Sequence, residues 1–452
     1  MSLDMQNLQT KYDLRLPRYT SYPTAPHFHS GVNAEIVKDW LGELNKAKPL
    51  SLYFHIAYCA NMCWFCGCHT RITKKYHPVA DYLQVLFREI DLVAQALPAL
   101  MPVKHIHFGG GSPTVLTPED FVALMDKIKS RFALLDGAEV AVELDPRTAT
   151  PEYIEALAKA GVTRASIGVQ DFNTKVQEAI NRIQPFEISM DTAKWLRASG
   201  IKEVNMDLVY GLPHQTAETI LETIDQAMQI APVRIALFGY AHVPWMKKHQ
   251  TLIPESILPD AAERWRQYLS ATKRLVELGY VAIGLDHFAL PSDLMAQAVA
   301  AGTLNRNFQG YTTDDADILI GMGASGISSL PQGYAANELG IEAYKRAINA
   351  GKLAFNRGIE ITDEDRLRRA IIERLMCDLE VDVADVATKF KRDPEDFRAD
   401  VESLRPLIDD GILEIEDLKI KMTKEGRPLV RAACAAFDKY LKRGEAKHSR
   451  AV

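Results

Sequence analysis

The chain has 452 residues, 47% of them hydrophobic and 25% charged, and a formal net charge of −6. That composition excludes a disordered, fibrous or disulfide-rich protein, and the length suits one large α/β domain with an appendage, or two domains. The acidic excess gives no global basic field for nucleic acid, so an anionic substrate must be held by local Arg or Lys.

The first twenty residues, MSLDMQNLQTKYDLRLPRYT, lack the basic flank and apolar core of a secretory signal. No apolar run approaches the ~20 residues that cross a bilayer. A reduced, cytoplasmic setting is expected, in which clustered cysteines bind metal or do chemistry more often than they pair. Residues 1–49 read as an N-terminal arm. From about Leu50 to Tyr240, short β-rich apolar runs alternate with amphipathic segments of helical period, the pattern of βα units around a parallel sheet. Strands are expected at 51–56, 104–110, 139–144, 164–169, 203–211 and 234–240. Segments such as VADYLQVLFREIDLVAQAL and PEYIEALAKAG supply helices between them, and Gly161 and Gly200 mark helix ends. Six units make a partial, TIM-like (β/α)6 barrel, and YVAIGLDHFA (280–289) is expected to extend its sheet as a further strand.

The catalytic unit is drawn at 50–360. From about Thr362 helices take over, and GILEIEDLKIKMT reads as a small hairpin about Asp417. Residues 361–452 are therefore expected to form a mainly helical C-terminal domain with a small β-ribbon. A winged-helix DNA reader would look similar, but 19 Lys+Arg against 21 Asp+Glu in this span lack the basic footprint of a DNA module.

In a parallel barrel the site forms where the βα loops converge, at the C-terminal ends of the strands, and the unusual residues fall there. YCANMCWFCGCHT (58–70) follows the first strand, GGGSPT (109–114) the second, ELDP (143–146) the third, GVQDF the fourth, DLVYGLP the fifth and GYAHVP the sixth. The first of these holds four of the six cysteines; Cys377 and Cys434 stand alone and read as small buried helix residues. Structural zinc usually joins two separated ligand pairs, whereas CxxxCxxCxC lies in a single loop. Three thiolates in one loop can ligate three irons of a [4Fe-4S] cluster and leave the fourth open; zinc completed by Cys68, His55 or His69 is the alternative. GGGSPT offers close backbone approach to a ligand, or is an ordinary tight turn. Glu143 and Asp207 can accept from hydroxyls or an ammonium, and Gln170 and Arg182 can donate to a carboxylate; each alone would read as a loop or sheet-rim residue.

CxxxCxFC after the first strand, with GGGSPT after the second, resembles the radical S-adenosylmethionine (SAM) superfamily. That resemblance implies a cluster on Cys59, Cys63 and Cys66 whose open iron binds the amino and carboxylate groups of SAM, and a 5'-deoxyadenosyl radical released on reduction. PRYTSYPTAPHF (17–28), SLYFHIAYCANMCWFCGCHT (51–70), SIGVQDFN (166–173), NMDLVYGLP (205–213), GLDHFALP (284–291) and RNFQGYTT (306–313) are similar, more narrowly, to the oxygen-independent coproporphyrinogen III oxidases of haem biosynthesis.

This narrower resemblance implies oxidative decarboxylation of the ring A and ring B propionates of coproporphyrinogen III to vinyl groups, giving protoporphyrinogen IX. It implies that Tyr53 contacts SAM, that backbone at Phe65 meets its adenine, and that Gly110, Gly111, Ser112, Glu143, Gln170, Arg182, Asp207 and Ala241 line its site. Gln309 and Ile327 match positions associated with a second SAM, although Ile327 also reads as simple core. Cys68 is expected beside the cluster but not on it, with a catalytic part alongside Tyr53. Arg18 and Arg306 are candidates for holding propionates, on charge and motif position. A small donor such as flavodoxin or ferredoxin, an unnamed electron acceptor and a monomeric state complete the expectation. HIAYC stands where HIPFC is common in the family, and Ser112 where Thr is; both keep the needed chemistry. The rival readings are a haem chaperone of the same superfamily and another radical SAM enzyme acting on tetrapyrroles. Cys68, PRYTSYP and RNFQGYTT argue against both.

Overall fold

The computed structural model describes residues 11–12 and 16–441, so the expectation about the first ten residues lies outside it. Strands β1 (Leu50–Ile56), β4 (Pro102–Gly110), β5 (Ala133–Leu144), β6 (Arg164–Gln170), β7 (Glu203–Tyr210) and β8 (Arg234–Gly239) run parallel, in that spatial order. Two short strands, β2 (Tyr58–Cys59) and β3 (Arg71–Ile72), pair at the neck of the cysteine loop. The six long strands are the six expected from the sequence. Helices cover the sheet's outer face, so β1 is buried at six of its seven residues. Helices Pro118–Lys129, Pro151–Ala160 and Ala217–Ile230 begin at Thr117, Thr150 and Thr216, whose hydroxyls each accept a first-turn amide.

The sheet continues past both ends of this barrel. Beyond β8, the stretch 280–289 is not one strand, as its apolar run suggested, but the antiparallel pair β9 (Val281–Ile283) and β10 (His287–Ala289). The chain reverses at Gly284, whose φ is 49°, and a Cβ there would lie 1.9 Å from the Tyr311 ring. A separate hairpin follows, β11 (Asn305–Asn307) and β12 (Gly310–Thr312). Then β13 (Ile318–Met322) adds a seventh parallel strand beside β1, and β14 (Ile327–Leu330), β15 (Gly333–Asn337) and β16 (Phe355–Glu360) follow antiparallel. Together these make a twelve-stranded sheet among the described residues.

One buried carboxyl fastens the added strands. Glu89, on helix His77–Ala96, accepts from the Gly323 amide at 2.6 Å, the Asn337 side chain at 2.6 Å and the Tyr344 hydroxyl at 2.7 Å. Burial outweighs these bonds and pushes its pKa up to about 7.

A second apolar cluster gathers Leu367, Leu375, Phe397, Ile420 and Phe437. It carries the three-stranded ribbon β17 (Glu380–Asp382), β18 (Leu413–Glu416) and β19 (Lys419–Met422), which turns at Asp417. Tyr12, Tyr19 and Tyr22 of the arm and Trp265 of helix Ala261–Glu277 belong to the same cluster. The Tyr19 hydroxyl donates to Asp438 at 3.1 Å and that of Tyr22 to the Phe437 carbonyl at 3.4 Å. Cys377 and Cys434 are buried in helices. No helix among the described residues is long and apolar enough to cross a membrane.

Candidate active site

The cysteine loop leaves the end of β1 and is fixed mostly through its backbone. Trp64 N donates to Ile180 O at 2.9 Å, and Asn181 reaches Met62 O at 2.7 Å. Gln250 reaches Phe65 O at 2.9 Å, His249 reaches Cys66 O at 2.7 Å, and Lys247 reaches Cys68 O at 3.1 Å. With the main chain held, the thiols of Cys59, Cys63 and Cys66 are candidate ligands.

Each of those sulfurs has a donor beside it. The Thr70 hydroxyl is 3.3 Å from Cys59 Sγ, and the Cys68 amide is 3.3 Å from Cys66 Sγ. Arg147 Nη2 and Arg182 Nη1 stand 3.3 and 3.4 Å from Cys63 Sγ. Such donors stabilise thiolate, the form that binds metal, although at Cys59 burial outweighs the Thr70 bond and pushes the thiol up to about 12. Cys63 is buried, Cys59 and Cys66 half-buried, and Cys68 exposed.

Next to the loop lies the glycine turn. Gly111 N and Ser112 N donate to Ile56 O and Tyr58 O at 2.8 and 2.9 Å. A Cβ on Gly111 would fall 2.3 Å from that Tyr58 oxygen, and Gly110 has φ 104° with the His55 ring against it. Only glycine lets this backbone lie flat on the entry to the cysteine loop. The Ser112 hydroxyl is paired with Thr114 at 2.5 Å.

Glu143 receives His107 Nε2 at 3.0 Å and the Gly110 amide at 3.2 Å. Burial alone would raise its pKa, but the His107 bond and charge and the Gly110 amide bring it below the usual range, so it is an ionised acceptor. Asp207, bonded by Ser166 at 3.0 Å, is pushed up to about 6 by burial and then by the charge of Glu143. Glu143, Asp207 and Gln309 line one cavity of about 190 Å³ inside the barrel.

Tyr53 stacks on His107 with centroids 5.9 Å apart, and its hydroxyl is 3.1 Å from His55 Nδ1. His55 Nε2 lies 2.7 Å from the His69 carbonyl, which can only accept. The proton is therefore on Nε2, and Nδ1 accepts from Tyr53; burial lowers the His55 pKa and keeps the ring neutral.

The other expected residues are dispersed. Arg182 is engaged with Cys63, with Asp145 at 3.5 Å and with Gly168 O at 2.6 Å. Gln170 sits at the end of β6 with φ 74°. The Phe65 and Ala241 carbonyls share the Gln250 amide, the second at 3.2 Å. Ile327 is half-buried against Phe28, Tyr334 and Ile359 and lines neither cavity named here.

Arg18 and Arg306 stand in one cavity of about 550 Å³ at the end of β8, with Ala241 in its wall. Arg306 Nη2 donates to Arg18 O at 3.3 Å, and its guanidinium lies 4.2 Å from the Tyr311 ring centroid. Its Nε and Nη1 are buried with no hydrogen-bond partner. Asp286, also in the wall, is bonded to His287 at 2.7 Å. Burial would raise its pKa, but His287, then Arg306 and Arg18, hold it at about 2.

Comparison with known proteins gives this geometry its family. Residues 53–227 match the radical SAM superfamily and residues 361–429 the HemN C-terminal domain. A curated oxygen-independent coproporphyrinogen III oxidase of Bradyrhizobium diazoefficiens is 48% identical over 438 residues, covering 97% of each chain. The chain belongs to the oxygen-independent coproporphyrinogen III oxidase family. A member from Paracoccus denitrificans is 41% identical, covering 95% of each chain. The solved structure described as coproporphyrinogen III oxidase (HemN) from Escherichia coli, a radical SAM enzyme, is 35% identical with a TM-score of 0.92. It covers 98% of this chain and 100% of that one.

As a radical SAM oxidoreductase of this family, the chain is expected to carry a [4Fe-4S] cluster and SAM, and the residues fit both. Three sulfurs with N–H or O–H donors suit thiolate ligation of iron. Ionised Glu143, held beside the glycine turn by the Gly110 amide, suits a ligand bearing an ammonium and hydroxyls. Several residues that contact the cysteine loop or Glu143 lie outside the residues singled out in the sequence. Arg147 follows ELDP directly and His107 lies two residues before the first glycine of GGGSPT, so both were within reach of quoted motifs. His249, Gln250 and Thr70 act through backbone or sulfur contacts that no spacing announces.

Proposed function

We propose that the chain converts the ring A and ring B propionates of coproporphyrinogen III to vinyl groups without oxygen, giving protoporphyrinogen IX. The observation that carries this reading is an arginine-bearing cavity, holding Arg18 and the incompletely bonded Arg306, that shares Ala241 with the expected SAM region. Family membership supports it. When bound, the cluster and SAM supply a 5'-deoxyadenosyl radical that takes a hydrogen atom from a propionate β-carbon. Departure of CO2, with one electron passing to an acceptor, leaves each vinyl group.

The chain's own residues position and exclude. Cys59, Cys63 and Cys66 are the iron ligands, and Cys68 stands beside them. Glu143 accepts from an ammonium or from ribose hydroxyls, the backbone of Gly110 and Gly111 admits the amino-acid end of SAM, and Tyr53 with neutral His55 forms the floor. Gln309 and Ile327 are assigned to a second SAM, Arg18 and Arg306 to propionates. Residues 1–49 serve as an arm to the site, 50–360 as the catalytic unit and 361–452 as a cover. A flavodoxin- or ferredoxin-like donor supplies electrons to a cytoplasmic monomer.

The test is anaerobic incubation of reconstituted protein with SAM, a reductant, an electron acceptor and coproporphyrinogen III. Mass analysis should find loss of two CO2 and formation of 5'-deoxyadenosine. SAM cleavage with the tetrapyrrole unchanged would point instead to a haem-binding relative.

A further inference from the structure

We infer that Arg264 and Arg431 join Arg18 and Arg306 as an anchor for the two propionates that survive the reaction. This rests on the functional reading above. The four arginines come from the arm, helix Ala261–Glu277, helix Val430–Cys434 and β11, yet all line the same cavity of about 550 Å³. That volume is typical of small-molecule sites.

A chain with a net charge of −6 that gathers four guanidiniums in one hollow is organised around an anion. The carboxylates in the wall are already committed. Asp286 is bonded to His287 and offsets only part of the Arg306 and Arg18 charge, Asp260 caps its helix by accepting from Glu263 N at 2.8 Å, and the Glu255 side chain, 3.8 Å from His242, is 80% exposed at the rim. Arg306 keeps two buried N–H groups with no hydrogen-bond partner, which is costly unless a ligand completes them. Arg431 reports the same crowding. Burial, and after it the charge of Arg18, brings its pKa down to about 10. Tyr210, over whose ring Arg264 lies at 5.7 Å from the centroid, supplies an apolar wall for a pyrrole edge.

The choice between reacting and surviving propionates follows from charge. A carboxylate that leaves as CO2 loses its anion, so a guanidinium pair stabilises the starting state more than the transition state and slows departure. A cage of arginines suits carboxylates that are kept. It also leaves substrate and product with the same handle, because both carry the surviving pair.

The experiment is a fluorescence titration of the holoenzyme with oxidised, unreactive porphyrins. Coproporphyrin III carries all four propionates, protoporphyrin IX only the surviving two, and coproporphyrin tetramethyl ester no free carboxylate. Wild-type protein should bind both free acids and bind the ester at least tenfold more weakly. Arg18→Gln and Arg264→Gln should each weaken both free acids by the same factor, roughly tenfold for a lost charged hydrogen bond. Arg264→Lys should restore part of that loss, which a folding defect would not allow. Weakening of coproporphyrin alone would mean that the cavity holds reacting propionates, and would overturn the inference. Equal binding by variants and wild type would overturn it too, while leaving decarboxylation by the wild-type enzyme intact. Wild-type protein unable to decarboxylate coproporphyrinogen III would remove the functional reading and this anchor with it.

Discussion

Arg147 holds its Nη2 3.3 Å from the sulfur of Cys63 while pairing with Asp145 at 2.6 Å. The carboxylate fixes the guanidinium, so the N–H stays aimed at sulfur. Hydrogen bonds and positive charge at a cluster sulfur raise the reduction potential. Arg147→Met protein should therefore assemble its cluster, because Arg182 still reaches Cys63 at 3.4 Å, but with a potential lower by on the order of tens of millivolts. A redox titration followed by electron paramagnetic resonance reads this directly. An unchanged potential would show that the contact does not tune the cluster.

Cys68 differs from its three neighbours. It is exposed; its thiol hydrogen-bonds the Cys66 thiol, while its backbone amide meets the Cys66 sulfur and its carbonyl meets Lys247. A serine keeps both backbone contacts. Cys68→Ser protein is expected to retain about four irons and the wild-type absorption spectrum. Turnover should fall by roughly a hundredfold, the scale of losing a positioned acid or base. A variant that cannot hold iron would require a new ligand set.

Glu89 gives the scaffold a pH dependence of defined sign. Its folded pKa, about 7, lies above the ordinary 4.5, so between those values the folded chain binds more protons than the unfolded one. Stability from this group is present below about pH 4.5 and is lost as pH rises to about 7, by at most about 3 kcal/mol. Glu89→Gln should flatten the fall in melting temperature between pH 5 and 7.5 relative to wild type. Parallel curves for the two proteins would mean that Glu89 titrates normally.

The six barrel strands were legible because each combines an apolar run with a following segment of helical period, and the cysteine loop because its residues are rare and adjacent. The flanking strands were not. Residues 318–322 become the seventh parallel strand only by lying against β1, a long-range pairing that a five-residue apolar run does not announce. The stretch 280–289 misled because its apolar run passes through Gly284, whose turn is enforced by the distant Tyr311 ring. In the site, residue types at strand ends pointed to Glu143 and Asp207. Arg182, which sequence position marks as a donor to a carboxylate ligand, also contacts Cys63, Asp145 and Gly168, contacts visible only once the fold brings those groups together.

The bonds from Tyr19 to Asp438 and from Tyr22 to the Phe437 carbonyl join residues more than four hundred positions apart, at separations of 419 and 415. A nascent polypeptide exposes the first of these surfaces long before the second. The barrel strands and the cysteine loop can take shape while synthesis is under way, but the cavity around Arg18 closes only after helix Val430–Cys434, which brings Arg431 to its wall, has left the ribosome. The anion-binding wall is thus the last part of the site to be made.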